Sequence, residues 1–148
     1  MDSNLNLQVI STYRASLFLP YTKSDLYKIL RAMLLAQSAN PIGEPISGVE
    51  LYLVPDAEIS LANQQFMQVA GPTNILSFPG GSDLPGTLLL SLDTLQRECL
   101  IYGQDVQEHC LRLIAHGMAH LAQLEHGPEH DLLSSIFEDA AYEWLRNN

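Results

Sequence analysis

Apolar and polar positions alternate along several short stretches of the chain, which is the pattern of half-buried β-strands. Residues 5–9 and 48–54 alternate in this way. Residues 74–78 form a short, mainly apolar run that stops at a Pro-Gly-Gly turn signal. Residues 86–91 are nearly continuous in apolar character, which favours a central strand buried on both faces. The pattern therefore predicts about four strands.

Between these stretches, apolar residues recur every three or four positions, as they do in helices that bury one face. A first helix is expected to begin after a cap at Thr22 or Ser24 and to fade near Asn40. A second helix opens at Asp56 and is broken at Gly71.

Three further helices are predicted in the second half of the chain. Asp93 is expected to cap a short helix, Asp105 caps the next, and Asp131 begins a final amphipathic helix. About five helices packed on a mixed sheet of about four strands predict a single α+β domain over residues 1–148. The alternation over residues 48–79 also allows one parallel strand pair joined by a right-handed crossover.

The charge balance limits how the chain could bind nucleic acid. Seventeen acidic residues against seven Lys and Arg give a formal net charge of −10, and the seven cations form no run. This excess of acids opposes tight, sequence-independent binding to a phosphate backbone, which depends on clustered Lys and Arg.

Cysteine usage and hydropathy predict a cytoplasmic protein. Cys99 and Cys110 each lie in an apolar-periodic stretch and are interpreted as reduced core thiols. The first thirty residues lack a basic start followed by a long apolar run, so no signal peptide is predicted. The longest apolar stretches are shorter than a membrane span, so no membrane partner is expected.

Three histidines carry the candidate chemistry. His116 and His120 are four residues apart on a predicted helix, so their rings project from one face. His126 follows beyond the expected helix end, where the returning chain can bring a third imidazole over that face. Three imidazoles leave a coordination position for water, as in catalytic zinc sites. The spacing predicts one transition-metal ion per chain, with zinc favoured over nickel or copper, which the same ligands also suit.

Two more histidines lie close to these three in the sequence. His109 precedes His116 by two helical turns, and His130 follows His126 by four residues. We interpret both as exposed or hydrogen-bonded histidines. The alternatives are an outer partner of the metal site for His109 and an adventitious ligand for His130.

The same H-x₃-H-x₅-H spacing occurs in one class of zinc proteases, which makes peptide hydrolysis a competing hypothesis. Those enzymes place a Glu directly after the first histidine as the general base. Here that position is Gly117, and Gln123 replaces the glycine that turns their chain. The missing base disfavours a protease.

Two segments resemble the YbeY family of metal-dependent endoribonucleases. Residues 116–126, HGMAHLAQLEH, are similar to the family signature HGxLHLxGYDH. Residues 72–79, PTNILSFP, are close to the family segment PT(D/N)VLSFP, and residues 86–94 show a weaker match. The order and spacing agree over nearly the whole chain, which is therefore identified as a member of this family.

The resemblance implies an α+β fold, a metal ion held by the three histidines and single-stranded RNA as the substrate. It also implies a role in maturation or quality control of small-subunit ribosomal RNA, with the small ribosomal subunit or its proteins as partners. Thr73 and Ser77 could position a phosphate, although strand hydroxyls are more often bonded to backbone. The general base is not identified.

The chain departs from the family at a position that matters for RNA cleavage. Met67 stands where the family has an Arg facing the active site, and Met cannot hold a phosphate as Arg does. Glu125 replaces an Asp beside the last histidine and keeps a carboxylate there. Two hypotheses remain, an active endoribonuclease and a catalytically weakened ribosome-assembly factor that keeps the metal for stability.

Overall fold

The alternating stretches form one sheet in the computed structural model, which describes residues 6–12, 19–81 and 83–148. The strands among these residues are β1 (Asn6–Ser11), β2 (Gly48–Val54), β3 (Ile75–Phe78) and β4 (Gly86–Ser91). Their order is β1-β2-β4-β3. β4 pairs in parallel with β2 and antiparallel with β3, so the nearly continuous apolar run is a central strand, as predicted.

Five α-helices in the described part of the chain complete the fold. They are α1 (Lys23–Ala39), α2 (Asp56–Ala62), α3 (Leu92–Tyr102), α4 (Val106–Leu121) and α5 (Pro128–Arg146). α2 continues into a π-helical turn, Asn63–Met67, that ends at Gln68 in the left-handed region. The predicted single-domain α+β fold is confirmed. No helix within the described ranges has the length and apolarity needed to cross a membrane.

The parallel pairs differ from the one that the sequence pattern allowed. β1 pairs in parallel with β2, and β2 pairs in parallel with β4. β2 and β3, the strands that bound the 48–79 segment, are not neighbours because β4 lies between them. β2 and β4 take the two interior places, and β3 becomes an antiparallel edge strand.

Helix caps agree with the prediction at two positions and differ at a third. Thr22 accepts a hydrogen bond from the Asp25 N–H, and Asp105 accepts one from the Glu108 N–H, as expected for caps. The predicted cap at Asp93 is wrong, because Ser91 accepts the bond from the Thr94 N–H at 3.2 Å.

The last helix also begins earlier than predicted, at Pro128 instead of Asp131. Proline suits the first helical position, since its missing N–H would have no partner there. This start places His130 in the first turn of α5.

Helices cover the two faces of the sheet unequally. The larger apolar cluster joins α1, α4 and α5 to one face and includes Leu88, Leu90 and Phe137. A smaller cluster of Val54, Ile59 and Leu76 lies under α2 on the other face. The unequal cover leaves the β3 edge beside α4 as the place where a cleft can open.

The two cysteines are part of the larger cluster. Cys99 and Cys110 are both buried free thiols, in agreement with the predicted core positions. Burial raises the pKa of Cys110 to about 12, which keeps this thiol protonated and unreactive.

A carboxylate links α2 to α3. Asp56 Oδ1 accepts hydrogen bonds from the Ser91 and Thr94 hydroxyls, both at 2.7 Å. Arg97 donates to Asp56 Oδ2 at 3.1 Å. Burial acts to raise the pKa of Asp56, but the three hydrogen bonds outweigh it and hold this pKa below its ordinary value of 3.8.

We expect Asp56→Ala to lower the free energy of unfolding at neutral pH by about 1–3 kcal/mol, since it leaves buried hydroxyls without their acceptor. The contribution of the lowered pKa is present above pH 4 and is lost as the pH falls through the pKa of the folded state. Urea unfolding at about pH 7 and about pH 3 measures both effects. Asp139→Ala removes an exposed carboxylate as a control. A deficit in Asp56→Ala that is equal at both pH values would contradict the assigned role.

Candidate metal centre

A cleft of about 730 Å³ opens between α4 and the β3 edge. His116 and His120 lie one helical turn apart on α4. Both side chains are half-buried and line this cleft. The opposite side of α4 is held in the core by residues such as Ile114 and Met118. Helical periodicity therefore turns the two imidazoles towards the cleft.

His126 lies in the loop between α4 and α5, as predicted. Its exposed ring also lines the cleft, with its centroid 4.9 Å from that of His120. His120 Nδ1 lies 2.9 Å from the Leu124 carbonyl oxygen. A carbonyl can only accept, so Nδ1 carries the proton and Nε2 keeps its lone pair for a ligand. The same hydrogen bond fastens the start of the loop to α4.

The structure brings together a set of histidines that differs in one member from the predicted three. Nitrogen atoms of His120, His126 and His130 all lie within 4.8 Å of one another. His116 is not part of this group, although the centroid of its ring is 5.5 Å from that of His130. Four histidine rings are thus neighbours at the cleft.

His130 was interpreted as exposed or hydrogen-bonded. It is hydrogen-bonded, but it is not exposed. His130 is fully buried, and its Nε2 lies 3.1 Å from the His116 carbonyl oxygen. The four-residue spacing from His126 could have indicated that the two rings lie close together. The helix start expected at Asp131, however, placed His130 outside α5.

His109 takes no part in the cluster and is hydrogen-bonded, as interpreted. Its Nε2 lies 2.9 Å from Glu98 Oε1, and Arg112 Nη1 lies 3.1 Å from its Nδ1. Glu98 also accepts from the Asn74 side chain. These contacts tie the start of β3 to α3 and α4.

The electrostatic environment keeps three of the clustered histidines neutral. Burial is the main cause that lowers the pKa of His116, His120 and His130 below the ordinary value of 6.5. Neighbouring histidines lower these pKa values further. Neutral imidazoles are the form that a metal ion requires, so the donor set fits a transition metal such as zinc.

Comparison with known proteins assigns the family. A family model described as Endoribonuclease YbeY matches residues 18–140. An Endoribonuclease YbeY of Nitratidesulfovibrio vulgaris is 40% identical over 88% of each chain. The chain belongs to the YbeY family. A protein of the same name from Lawsonia intracellularis is 38% identical over 79% of this chain and 84% of its own.

A solved structure supports the same fold. The solution structure of a Thermotoga maritima protein superposes with a TM-score of 0.64 and covers 95% of this chain and 93% of its own. Its sequence is 19% identical, so the likeness concerns the fold alone.

Gln123 stands at a position where the YbeY signature has a glycine. Its φ is 63°, in the left-handed region that glycine adopts without strain. A residue with a Cβ pays about 1 kcal/mol or more there. The turn that precedes His126 therefore has a backbone conformation that glycine would adopt at less cost.

The two strand residues proposed to position a phosphate have different places. Ser77 lines the cleft, whereas Thr73 is half-buried and is not among the described residues that line it. Met67 also lines the cleft and is 47% exposed, so the position at which the resemblance led us to expect an Arg faces the cleft.

Arg97 on α3 and Arg112 on α4 are bound to side chains that do not line the cleft. Arg97 is paired with Asp56, and Arg112 donates to His109. Among the described residues that line the cleft, none is Lys or Arg. Met67 therefore leaves this YbeY member without the expected side-chain cation at the described part of the cleft.

Gly117 allows α4 to lie close to the sheet. A Cβ at this position would stand 2.9 Å from both Ile75 Cδ1 and Leu88 Cδ2, and 3.1 Å from Ser77 Oγ. These distances are shorter than ordinary van der Waals contact. The absent side chain thus suits this close packing, and the Glu of the zinc proteases would require the ends of these three side chains to move.

We expect Gly117→Val to destabilise the protein by about 1–3 kcal/mol, because a branched side chain would overpack the contact between α4 and the sheet. Urea unfolding measures the change. Gly81→Val is the matched control, since a Cβ at Gly81 would meet no atom within 4 Å. Equal stability of the Gly117 variant and the wild type would show that α4 does not need this close approach.

Proposed function

We propose that the chain is a metal-dependent endoribonuclease, with residues 1–148 acting as one metallohydrolase domain. Its substrate is single-stranded RNA, and its role is maturation or quality control of small-subunit ribosomal RNA in the cytoplasm. The observation that carries this proposal is the histidine cluster on the cleft of a chain that belongs to the YbeY family. The small ribosomal subunit or its proteins are the proposed partners.

The proposed ligands are His116, His120 and His126, with one zinc ion per chain and nickel as an alternative. All three rings line the same cleft. The Leu124 carbonyl accepts the Nδ1 proton of His120, which leaves Nε2 as the nitrogen that can bind an ion. A bound zinc ion would polarise a phosphate oxygen and lower the pKa of a water molecule.

The rest of the cleft suits a flexible, single-stranded substrate. It has a volume of about 730 Å³, and its lining includes Met67 as well as Glu125. Ser77 lines the cleft and would donate a hydrogen bond to a phosphate oxygen, and Thr73 precedes it in the same segment. With a net charge of −10 and no lining Lys or Arg, specific contacts rather than a general positive field must hold the RNA.

A second candidate function follows from Met67. A catalytically weakened ribosome-assembly factor would keep the metal for stability and would not need the cation. The apolar side chain on the cleft wall favours this alternative. A zinc protease remains disfavoured, because Gly117 supplies no base and a side chain at this position would crowd Ile75 and Leu88.

We expect His120→Ala to reduce bound zinc well below the wild-type content and to abolish the rise in melting temperature that zinc produces, since an ion that binds the folded state stabilises it. Elemental analysis and thermal unfolding with and without zinc measure these effects. His109→Ala is the control, because it removes a buried histidine outside the cluster. Equal zinc content in His120→Ala and the wild type would refute the site.

We expect Met67→Arg to raise cleavage of a single-stranded ribosomal RNA fragment about 10- to 100-fold, the order expected for one charged donor that stabilises the transition state. The gain should shrink as salt is added, since a new phosphate contact steepens the salt dependence. Leu61→Arg adds the same charge on α2 at a residue that does not line the cleft.

The outcome separates the two candidate functions. Cleavage that requires His120 and rises in Met67→Arg but not in Leu61→Arg supports the endoribonuclease. Unchanged cleavage in Met67→Arg together with its loss in Arg112→Ala would assign the cation role to Arg112 and remove the main support for a weakened factor. No cleavage by the wild type or by Met67→Arg, with zinc bound, would favour the assembly factor.

A further inference from the structure

We propose that His130 is an additional metal ligand through Nδ1, so that four imidazoles surround one ion in this protein. The inference rests on the proposed metal site and adds a ligand to it. It is carried by the position of the His130 ring, by its hydrogen bonding and by its place at the start of α5.

The ring of His130 lies in the middle of the histidine cluster. Its centroid is 4.2 Å from that of His120, 5.3 Å from that of His126 and 5.5 Å from that of His116. It is the member with contacts to all three others. One ion shared by His120 and His126 would therefore also be within reach of His130, whose nitrogen belongs to the same 4.8 Å group.

Hydrogen bonding settles which nitrogen of His130 holds the lone pair. Nε2 lies 3.1 Å from the His116 carbonyl oxygen, which can only accept, so Nε2 carries the proton. Nδ1 is then an acceptor. It is buried and has no hydrogen-bond partner among the described residues. The Asp131 carboxylate is 3.9 Å away, beyond hydrogen-bonding distance, and is mostly exposed.

A buried nitrogen without a partner needs an explanation. Buried polar groups are nearly always hydrogen-bonded, and an unsatisfied one carries a penalty of about 1–3 kcal/mol. A metal ion beside Nδ1 would use the lone pair that no protein donor satisfies. The arrangement, with one ring nitrogen donating to a backbone carbonyl and the other free, is the usual one for a metal-binding histidine.

The start of α5 places this ring. Pro128 begins the helix directly after the loop that carries His126, so the two imidazoles are linked by one short segment. The bond from His130 to the His116 carbonyl then joins α5 to the middle of α4. Burial of His130 makes its position rigid, while the exposed His126 ring can adjust around an ion.

Four nitrogen ligands change what the centre can do. Three protein ligands leave the fourth tetrahedral position of zinc open, whereas four fill it, and a substrate group then requires five-coordination. The proposal therefore predicts firm retention of the ion and a distinct ligand field.

The test is His130→Gln, because the Gln amide can keep a donor near the His116 carbonyl while it removes the Nδ1 ligand. We expect zinc affinity, measured by competition with a chromogenic chelator, to fall at least about tenfold, the lower range for damage to a metal site. We also expect the visible absorption spectrum of the cobalt-substituted protein to change in band position and intensity. His109→Gln, a change at a buried histidine outside the cluster, should leave both unchanged.

The outcomes separate this inference from the metal site itself. Unchanged zinc affinity and an unchanged cobalt spectrum in His130→Gln overturn the inference and leave the proposed site intact. A wild type that binds neither zinc nor cobalt overturns both.

A second measurement covers the case in which His130→Gln does not fold. The wild type, labelled with ¹⁵N-histidine, is titrated with zinc and followed by NMR. A shift of the His130 Nδ1 resonance in step with His120 Nε2 supports coordination, and a His130 Nδ1 resonance that stays unchanged while His120 Nε2 shifts overturns it.

Discussion

The close contact between α4 and the sheet at Gly117 is the constraint on which the metal centre depends. Atoms of Ile75, Leu88 and Ser77 occupy the space that a side chain would need, so the helix lies directly on β3 and β4. This contact sets the distance of His116 and His120 from the β3 edge and defines one wall of the cleft. A larger residue would force the side-chain ends of Ile75, Leu88 and Ser77 to shift, and Ile75 and Ser77 line the cleft. The chemistry of the site therefore rests on a packing condition in the core.

The parts of the fold that could be predicted are those with a strong local signal. The alternation over Gly48–Val54 and the nearly continuous apolar run over Gly86–Ser91 marked both strands with correct bounds, because half-buried and central strands differ in how many of their faces are apolar. The periodic apolar stripe and the cap at Asp105 located α4, and the i,i+4 spacing on that helix turned His116 and His120 to one side. Strand neighbours could not be predicted in the same way, since sheet order depends on contacts between distant segments.

The burial of His130 was not predicted, because it depends on which of two residues begins α5. Asp131 is a good capping residue, but Pro128 begins the helix because Gly127 supplies the extended turn before it. A shift of three residues moves His130 from an open loop to the buried first turn, where its ring meets those of His120 and His126. A similar competition between nearby residues occurs at α3, where Ser91 and not Asp93 caps the helix. Only tertiary contacts choose between such local alternatives.

The π-helical turn at the end of α2 determines which side chain of this segment faces the cleft. A π-turn holds one residue more than the α-helical turn it replaces, and each residue of a helix advances about 100° around the axis. Met67 faces the cleft because this extra residue is accommodated before the chain reverses at Gln68. A relative that lacked the extra residue would present a neighbouring side chain at the same point in space. The identity of the wall residue is thus controlled by helix phase as well as by substitution.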